Sequence, residues 1–323
     1  MREYQKWPFK GICLSAPRQA DYEMFKRVIA EVLPSLKCNN LVLLLRYRFD
    51  FKKHPEVVDK EPITLKQAQE ISNLCRQNNI RIIPKMNLFG HQSEKGGELR
   101  LGLLRAYPDF DETPDLPTVR YCRSLCPRHP KVKEVIYSLI DEVIDAFKAD
   151  AIHVGCDEVF EIGLCPRCKG TPNHQLFAEW INILHSHIVR KRKVEMFMWG
   201  DRLLDARTTG YGEWEASEND TYNAIDNIPK DIILCDWHYK KMESYPSIQI
   251  FVNKGFKIVI CPWKNLEATK AFLEFAAKNN DKKILGVLQT SWCDSGAIAR
   301  YLLNIEDVPK LVSESFKFSM NFF

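Results

Sequence analysis

A chain of 323 residues with 45% hydrophobic and 27% charged side chains has ordinary globular composition and ample length for a large core. Its formal net charge of +4 comes from Lys and Arg spread along the chain, without a basic stripe interleaved with aromatics, which argues against a nucleic-acid partner. No stretch approaches the roughly 20 apolar residues of a membrane span, and the start, "MREYQKWPFKG", lacks the apolar centre of a signal peptide; no membrane partner and a cytoplasmic location are expected unless a leader was removed.

Short β-rich runs alternate with helical patterns along the chain. "GICLSAPR" precedes a helix from about Asp21, with Met24, Phe25, Val28, Ile29 and Val32 on one face. "LVLLLRYRF" follows, and its helix opens at Thr64 with Gln67 three residues on, a capping box. The third strand is "IRIIPKMNLFG". A long irregular stretch, about His91 to His129, separates it from a helix that Pro130 suits as first residue. "AIHVGCDEV" is the fourth strand. A helix around Leu176 to Val189 follows, ended by the cations Arg190 to Lys193, which favour the negative end of a helix dipole. "EMFMWGD" is the fifth strand, with a weak helix near Tyr222 after it. "IILCDWHY", a helix near Ile248, "FKIVICPWK", a helix from Leu266 to Lys278 and "ILGVLQTSW" complete the alternation. A last helix is expected over about Glu306 to Phe318.

Strands apolar along their length, separated by helices, predict a parallel sheet covered on both faces. Eight such units in a chain of this size predict a single-domain α/β fold, a (β/α)8 TIM barrel over residues 1–323. A doubly wound sheet should carry a glycine-rich turn after its first strand, and Ala16-Pro17-Arg18 is not one.

In such a barrel the site lies at the C-terminal ends of the strands. Those ends carry Arg18, Asp50, His91, Asp157 with Glu158, Trp199 with Asp201, Trp237 with Tyr239, Trp263, and Trp292 with Asp294. Each alone reads as a loop, cap or core residue. Four Trp at four strand ends are harder to attribute to packing, and flat apolar faces with N–H donors suit a sugar ring.

With the strand ends in place, "HVGCDEV" resembles the His-x-Gly-x-Asp-Glu signature of family 20 glycoside hydrolases, the β-N-acetylhexosaminidases. Gly90-His91, Arg18, Trp199-Gly200-Asp201 and Trp292-Cys293-Asp294 also fall where that family has motifs. The short form, with Cys156 before the acid pair, is similar to the hexosaminidase D-like branch. "PKMNLFGH" and "RYRFDF" depart from the family's usual acidic patterns, and Trp-x-Asp stands where Trp-x-Glu is frequent.

The resemblance implies an exo-acting enzyme that hydrolyses terminal β-linked GlcNAc or GalNAc from a glycan or glycoconjugate, without a cofactor. The nucleophile it implies is the substrate's own 2-acetamido oxygen. Glu158 would then be the general acid/base, and Asp157 would hold the acetamido N–H. Tyr239 would donate to the acetamido carbonyl, and His91, backed by Asp50, would hydrogen-bond Glu158. Arg18 and Asp294 would bind ring hydroxyls, with Asp201 also on the substrate side. Trp199, Trp237 and Trp292 would wall the sugar pocket, with Trp263 nearby. His153 reads as a buried structural histidine. The rival reading is a carbohydrate-binding barrel without turnover. A metal-dependent barrel hydrolase would want His-x-His on the first strand, and "CLSAP" offers none.

The 11 cysteines are an odd count, and Cys13, Cys235 and Cys261 lie in apolar runs, which favours free thiols over a disulfide framework. Cys165 and Cys168 form a C-x-x-C pair, and Cys122 and Cys126 lie in the preceding long loop. Unligated thiols, hence no metal, are the first reading of these four. A structural zinc and a local disulfide are the alternatives.

Overall fold

The computed structural model describes residues 7–306 and 310–322. Eight parallel strands close into a barrel in chain order: β1 (Phe9–Ser15), β2 (Asn40–Leu44), β3 (Arg81–Lys85), β4 (Ala151–His153), β5 (Glu195–Trp199), β6 (Ile233–Trp237), β7 (Lys257–Cys261) and β8 (Ile284–Thr290). The α/β barrel expected from the alternation is the fold. Successive side chains point to opposite faces of a strand, and both faces are apolar here. Phe9, Cys13, Val42, Ile83, Ala151, Phe197, Ile233, Cys235, Val259 and Leu288 fill the barrel interior. Ile12, Leu14, Leu41, Leu43, Ile152, Met196, Met198, Ile258 and Ile260 face outward onto the helical layer.

The helices sit where sequence periodicity puts them, with instructive differences. Thr64 and Gln67 form the capping box of the helix Leu65–Gln77. The next long helix is Val132–Phe147, so Pro130 lies in the turn before it rather than at its first position. The helix after β4 runs over Asn173–His185 and continues as a wider π-helical turn over Ser186–Lys191, where Arg190 and Lys191 end it. The weak helix near Tyr222 is a 3₁₀ turn, Thr221–Asp226. A short helix absent from the sequence reading, Ser295–Leu302, follows β8 with Asp294 as its N-cap; the Asp294 carboxylate accepts from the N–H groups of Gly296 and Ala297. The final helix is Lys310–Asn321; residues 307–309 of the helix expected from Glu306, and residues 1–6 of the N-terminal segment read for a leader, lie outside the described residues. No helix among the described residues is long and apolar enough to cross a membrane.

The barrel closes where β1 meets β8, with Phe9 opposite Gly286. Gly286 has φ of 152°, follows a register shift in the β7–β8 pairing, and a Cβ there would meet the Phe9 carbonyl oxygen at 1.8 Å.

The long stretch after β3 is folded rather than loose. The buried Arg123 gathers it, donating to the carbonyls of Gly97 (2.6 Å), Thr113 (2.7 Å) and Leu116 (2.6 Å) and pairing with the Asp111 carboxylate (2.8 Å). One buried guanidinium with several acceptors can order a long loop because each buried carbonyl must find a donor.

Candidate active site

A cavity of about 480 Å³ opens at the C-terminal ends of the strands. The expected Asp157, Glu158, His91, Tyr239, Trp199, Trp237, Trp263 and Trp292 all line it.

The strand carrying the acid pair is shorter than its apolar run suggests. Regular pairing stops at His153, and Gly155, Cys156 and Glu158 then adopt left-handed backbone, with φ of 72°, 68° and 49°. Adjacent side chains on an extended strand point apart, whereas these left-handed turns bring two neighbouring carboxylates to one pocket. Left-handed backbone at a non-glycine residue costs about 1–2 kcal/mol, so surrounding contacts must hold it. Gly90 is one of them: a Cβ on it would stand 2.5 Å from the Asp157 carbonyl oxygen, and only hydrogen allows that approach. Gln92 fastens the same turn by donating to the carbonyls of Asn87 (2.7 Å) and Gly90 (2.9 Å). Asp201 is another support. Its carboxylate is buried, accepts from the Glu158 N–H at 2.9 Å and the Trp237 indole N–H at 3.3 Å, and pairs with Arg202 at 2.7 Å.

His91, itself left-handed at φ 58°, joins the two acids. Its Nε2 lies 3.1 Å from Asp157 Oδ2 and 3.0 Å from Glu158 Oε2. Burial opposes the charge on this imidazole, but Asp157 and its hydrogen bonds more than offset that and hold the His91 pKa well above its usual value. Desolvation opposes charge on the half-buried Asp157 as well, yet His91 and the buried Lys85 amine hold its carboxyl well below the usual range. Glu158 goes the other way: burial first, then the Asp157 and Asp201 charges, raise its pKa against the pull of His91. Two adjacent carboxyls are thus driven apart, one ionised and one inclined to keep its proton. Asp157 Oδ1 is buried without a hydrogen-bond partner among the described residues.

Much of the remaining lining is aromatic. Trp199 and Trp292 meet edge to face at 5.9 Å, and Tyr239 packs between Trp237 (4.9 Å) and Trp263 (5.2 Å). The Tyr239 hydroxyl accepts from the Trp292 indole N–H at 2.9 Å and lies 3.5 Å from Thr290 Oγ1, a long contact that a better acceptor in the cavity could replace. At the mouth, Trp214 packs edge-on against Tyr121 and Phe160, both at 5.1 Å, so three loops build one rim.

Several expected residues stand elsewhere. Arg18 and Asp294 do not line the cavity; they pair with each other at 3.3 Å on the exposed side, and Asp294 is occupied as a helix cap. Asp201 lies behind the acid pair, where Arg202 holds it. Asp50 pairs with Lys52 at 2.5 Å, while the His91 Nε2 is taken up by the two acids. His153 is fully buried, and its Nδ1 accepts from the Gly155 N–H at 3.0 Å; burial, then the Lys85 charge, hold its pKa well below the usual value.

The sequence reading missed other lining residues: Arg46, Lys85, Asn87, Tyr121, Trp214 and Glu215. Lys85 closes an apolar strand, a placement that could have flagged it; its Nζ donates to Asn87 Oδ1 at 2.7 Å and sits 5.5 Å from the Trp199 ring centre. Glu215 is locked by the His238 imidazole at 2.8 Å and the Tyr239 N–H at 3.0 Å.

None of the 11 cysteines forms a disulfide. Cys126 Sγ lies 3.3 Å from Cys165 Sγ and 3.7 Å from Cys168 Sγ, but Cys122 does not join them; the fourth group of that cluster is Glu112. Cys122 instead sits against His91.

The family model for the catalytic domain of glycosyl hydrolase family 20 matches residues 8–297. A curated relative, hexosaminidase D of Bos taurus, is 24% identical over 189 residues, covering 55% of this chain and 51% of its own; the chain spans about half the length of that relative. Among solved structures, Flavobacterium johnsoniae chitobiase superposes with a TM-score of 0.66 at 21% identity, covering 97% of this chain and 51% of its own. An exo β-N-acetylglucosaminidase from Vibrio harveyi, solved with N-acetylglucosamine, gives 0.68 at 17% identity over 96% of this chain and 54% of its own. A β-N-acetylhexosaminidase from Bacteroides fragilis gives 0.67 at 16% identity over 97% and 65%. At these identities the solved structures bear on the fold.

Proposed function

Because the chain belongs to glycosyl hydrolase family 20, we propose that it is an exo-acting β-N-acetylhexosaminidase that releases terminal β-linked GlcNAc or GalNAc with retention, through an oxazolinium intermediate. The observation that carries this reading is the shared His91: Asp157 and Glu158 stand side by side on one imidazole nitrogen rather than facing each other across a sugar. Two-carboxylate glycosidases place nucleophile and acid on either side of the scissile bond. The remaining carboxylate of the lining, Glu215, has both oxygens engaged. A nucleophile supplied by the substrate suits such a site.

In this mechanism Glu158 protonates the departing oxygen. The ionised Asp157, with Oδ1 unpartnered, accepts the acetamido N–H and turns the acetamido oxygen toward the anomeric carbon. Tyr239 donates to that oxygen and holds it in line. As the ring closes, positive charge develops on the acetamido nitrogen, and Asp157 stabilises it more strongly than in the ground state, which is the requirement for acceleration. Water then opens the oxazolinium, giving its proton to Glu158. Arg46, Lys85 and Asn87, rather than Arg18 and Asp294, reach the ring hydroxyls, and the Trp wall takes the sugar's apolar face.

The test is a pair of measurements on turnover. Aryl glycosides of N-acetylglucosamine should be cleaved and those with a bare 2-hydroxyl should be poor substrates, while a thiazoline analogue of the intermediate should inhibit strongly. A glycosyl group found on an Asp or Glu by mass spectrometry of enzyme quenched during turnover would overturn the mechanism. Folded protein that binds the sugar without turning over any aryl N-acetylhexosaminide would favour the binding-only barrel.

A further inference from the structure

Outside the cavity lining, three thiols and a carboxylate converge. Cys126 and Glu112 come from the long segment after β3, and Cys165 and Cys168 from the segment after β4. One ligand atom from each lies within 4.8 Å of all the others, and all four residues are buried. We propose that Glu112, Cys126, Cys165 and Cys168 form a structural zinc site that fastens these two segments together.

The distances fit a tetrahedral thiolate site. A zinc–sulfur bond of about 2.3 Å places two sulfurs of a tetrahedron about 3.8 Å apart. The observed separations from Cys126 are 3.3 and 3.7 Å. Both are far beyond the roughly 2.05 Å of a disulfide bond. The local backbone serves the same end. Cys168 and Lys169 donate their N–H groups to the Cys165 carbonyl at 3.0 and 2.9 Å, a tight turn that sets both thiols on one side. This is the C-x-x-C spacing of structural zinc sites.

Glu112 supplies the independent observation. It is fully buried; Oε1 accepts from the Leu164 N–H at 2.9 Å, and Oε2 has no hydrogen-bond partner among the described residues. A buried carboxylate oxygen without a partner is costly unless a cation meets it. The donor set selects the metal: thiolates suit zinc over magnesium or calcium, and four protein ligands close the shell, which marks a structural rather than a catalytic ion. Cys122, the fourth ligand that spacing alone would choose, is turned toward His91 instead.

The consequence is mechanical. One anchored segment carries His91 and Tyr121, the other Asp157 and Glu158. A metal bridging them holds the two halves of the site together, and the bridge does not depend on the reaction proposed above.

The full chain, expressed with zinc available and purified without chelator under reducing conditions, should carry about one zinc per chain by plasma mass spectrometry. X-ray absorption on that protein should show three sulfurs at about 2.3 Å and one oxygen near 2.0–2.2 Å, a readout that needs no variant to fold. Cys168→Ser should lose the metal, and Cys122→Ser should keep it. Zinc below roughly a tenth of an equivalent after incubation with the metal would overturn the proposal, because a preformed closed site should bind it tightly. So would a Cys126–Cys165 disulfide in a peptide map of protein purified under reducing conditions, or loss of zinc in Cys122→Ser with retention in Cys168→Ser.

Discussion

Replacing Gly90 by alanine isolates the packing that places the acid pair. The added methyl would start 2.5 Å from the Asp157 carbonyl oxygen, where ordinary contact begins at 3.4 Å, so something must yield by about 0.9 Å. Gly90 itself is not in left-handed backbone, so alanine adds no strain of its own. The turn bearing Gly90 is fixed by Gln92, which leaves the Asp157–Glu158 segment to move. A displacement near 1 Å in a reacting group costs about 100-fold in rate, and overpacking costs about 1–3 kcal/mol in stability. Kinetics on an aryl N-acetylglucosaminide, run beside a thermal melt, should show kcat/KM falling about 100-fold in a protein that still folds. A folded variant within roughly threefold of the parent would refute the idea that this contact positions the acids.

Glu158→Gln should lose about 10²–10⁴-fold with poor leaving groups but much less with activated aryl glycosides, whose departure needs little protonation; equal losses would reassign the acid. Because Glu158 must carry its proton and its pKa is raised by burial, activity of the parent should fall as pH rises through that value, and the basic limb should vanish in the glutamine variant. His238 tests stability. Burial opposes its protonation, but Asp236 and Glu215 more than offset this and push its pKa from 6.5 to about 9. A raised folded pKa stabilises in full below the unfolded value, so up to about 3 kcal/mol should be present below pH 6.5 and lost as pH rises through about 9. Melting temperatures across that range should decline, and His238→Gln should flatten the profile. Trp214→Ala should raise KM for a disaccharide substrate about 5- to 30-fold, a loss of about 1–2 kcal/mol of stacking, while binding of free N-acetylglucosamine is unchanged. A matching loss for the monosaccharide would move Trp214 from the rim to the sugar pocket.

The barrel was legible because its strands are apolar on both faces, a pattern that survives without tertiary information. The position of Asp157 and Glu158 followed from the same pattern. Their convergence did not, because it depends on left-handed backbone at Cys156 and Glu158. Asp294 looked like a ligand-binding acid, yet Asp before a helical run is also a capping signal, and that reading would have revealed the helix Ser295–Leu302. Asp201 precedes Arg202, and an adjacent ion pair in the interior gives no trace in periodicity. Tyr121 and Trp214 reach the mouth from irregular segments, where no repeat encodes direction. Glu112 meets three thiols only because Arg123 folds its segment back, a contact set that chain spacing cannot express.

The seam at Phe9 and Gly286 bears on how the molecule assembles. Each of the other pairings joins strands that are neighbours in sequence, whereas this one joins the first strand to the last across most of the chain and requires all eight strands to be present. Loop-closure entropy makes such a contact late and slow. Contacts formed after the folding barrier govern the rate of opening rather than the rate of formation. A side chain at residue 286, driven into the Phe9 carbonyl, would therefore shorten the lifetime of the closed ring far more than it slowed its first collapse.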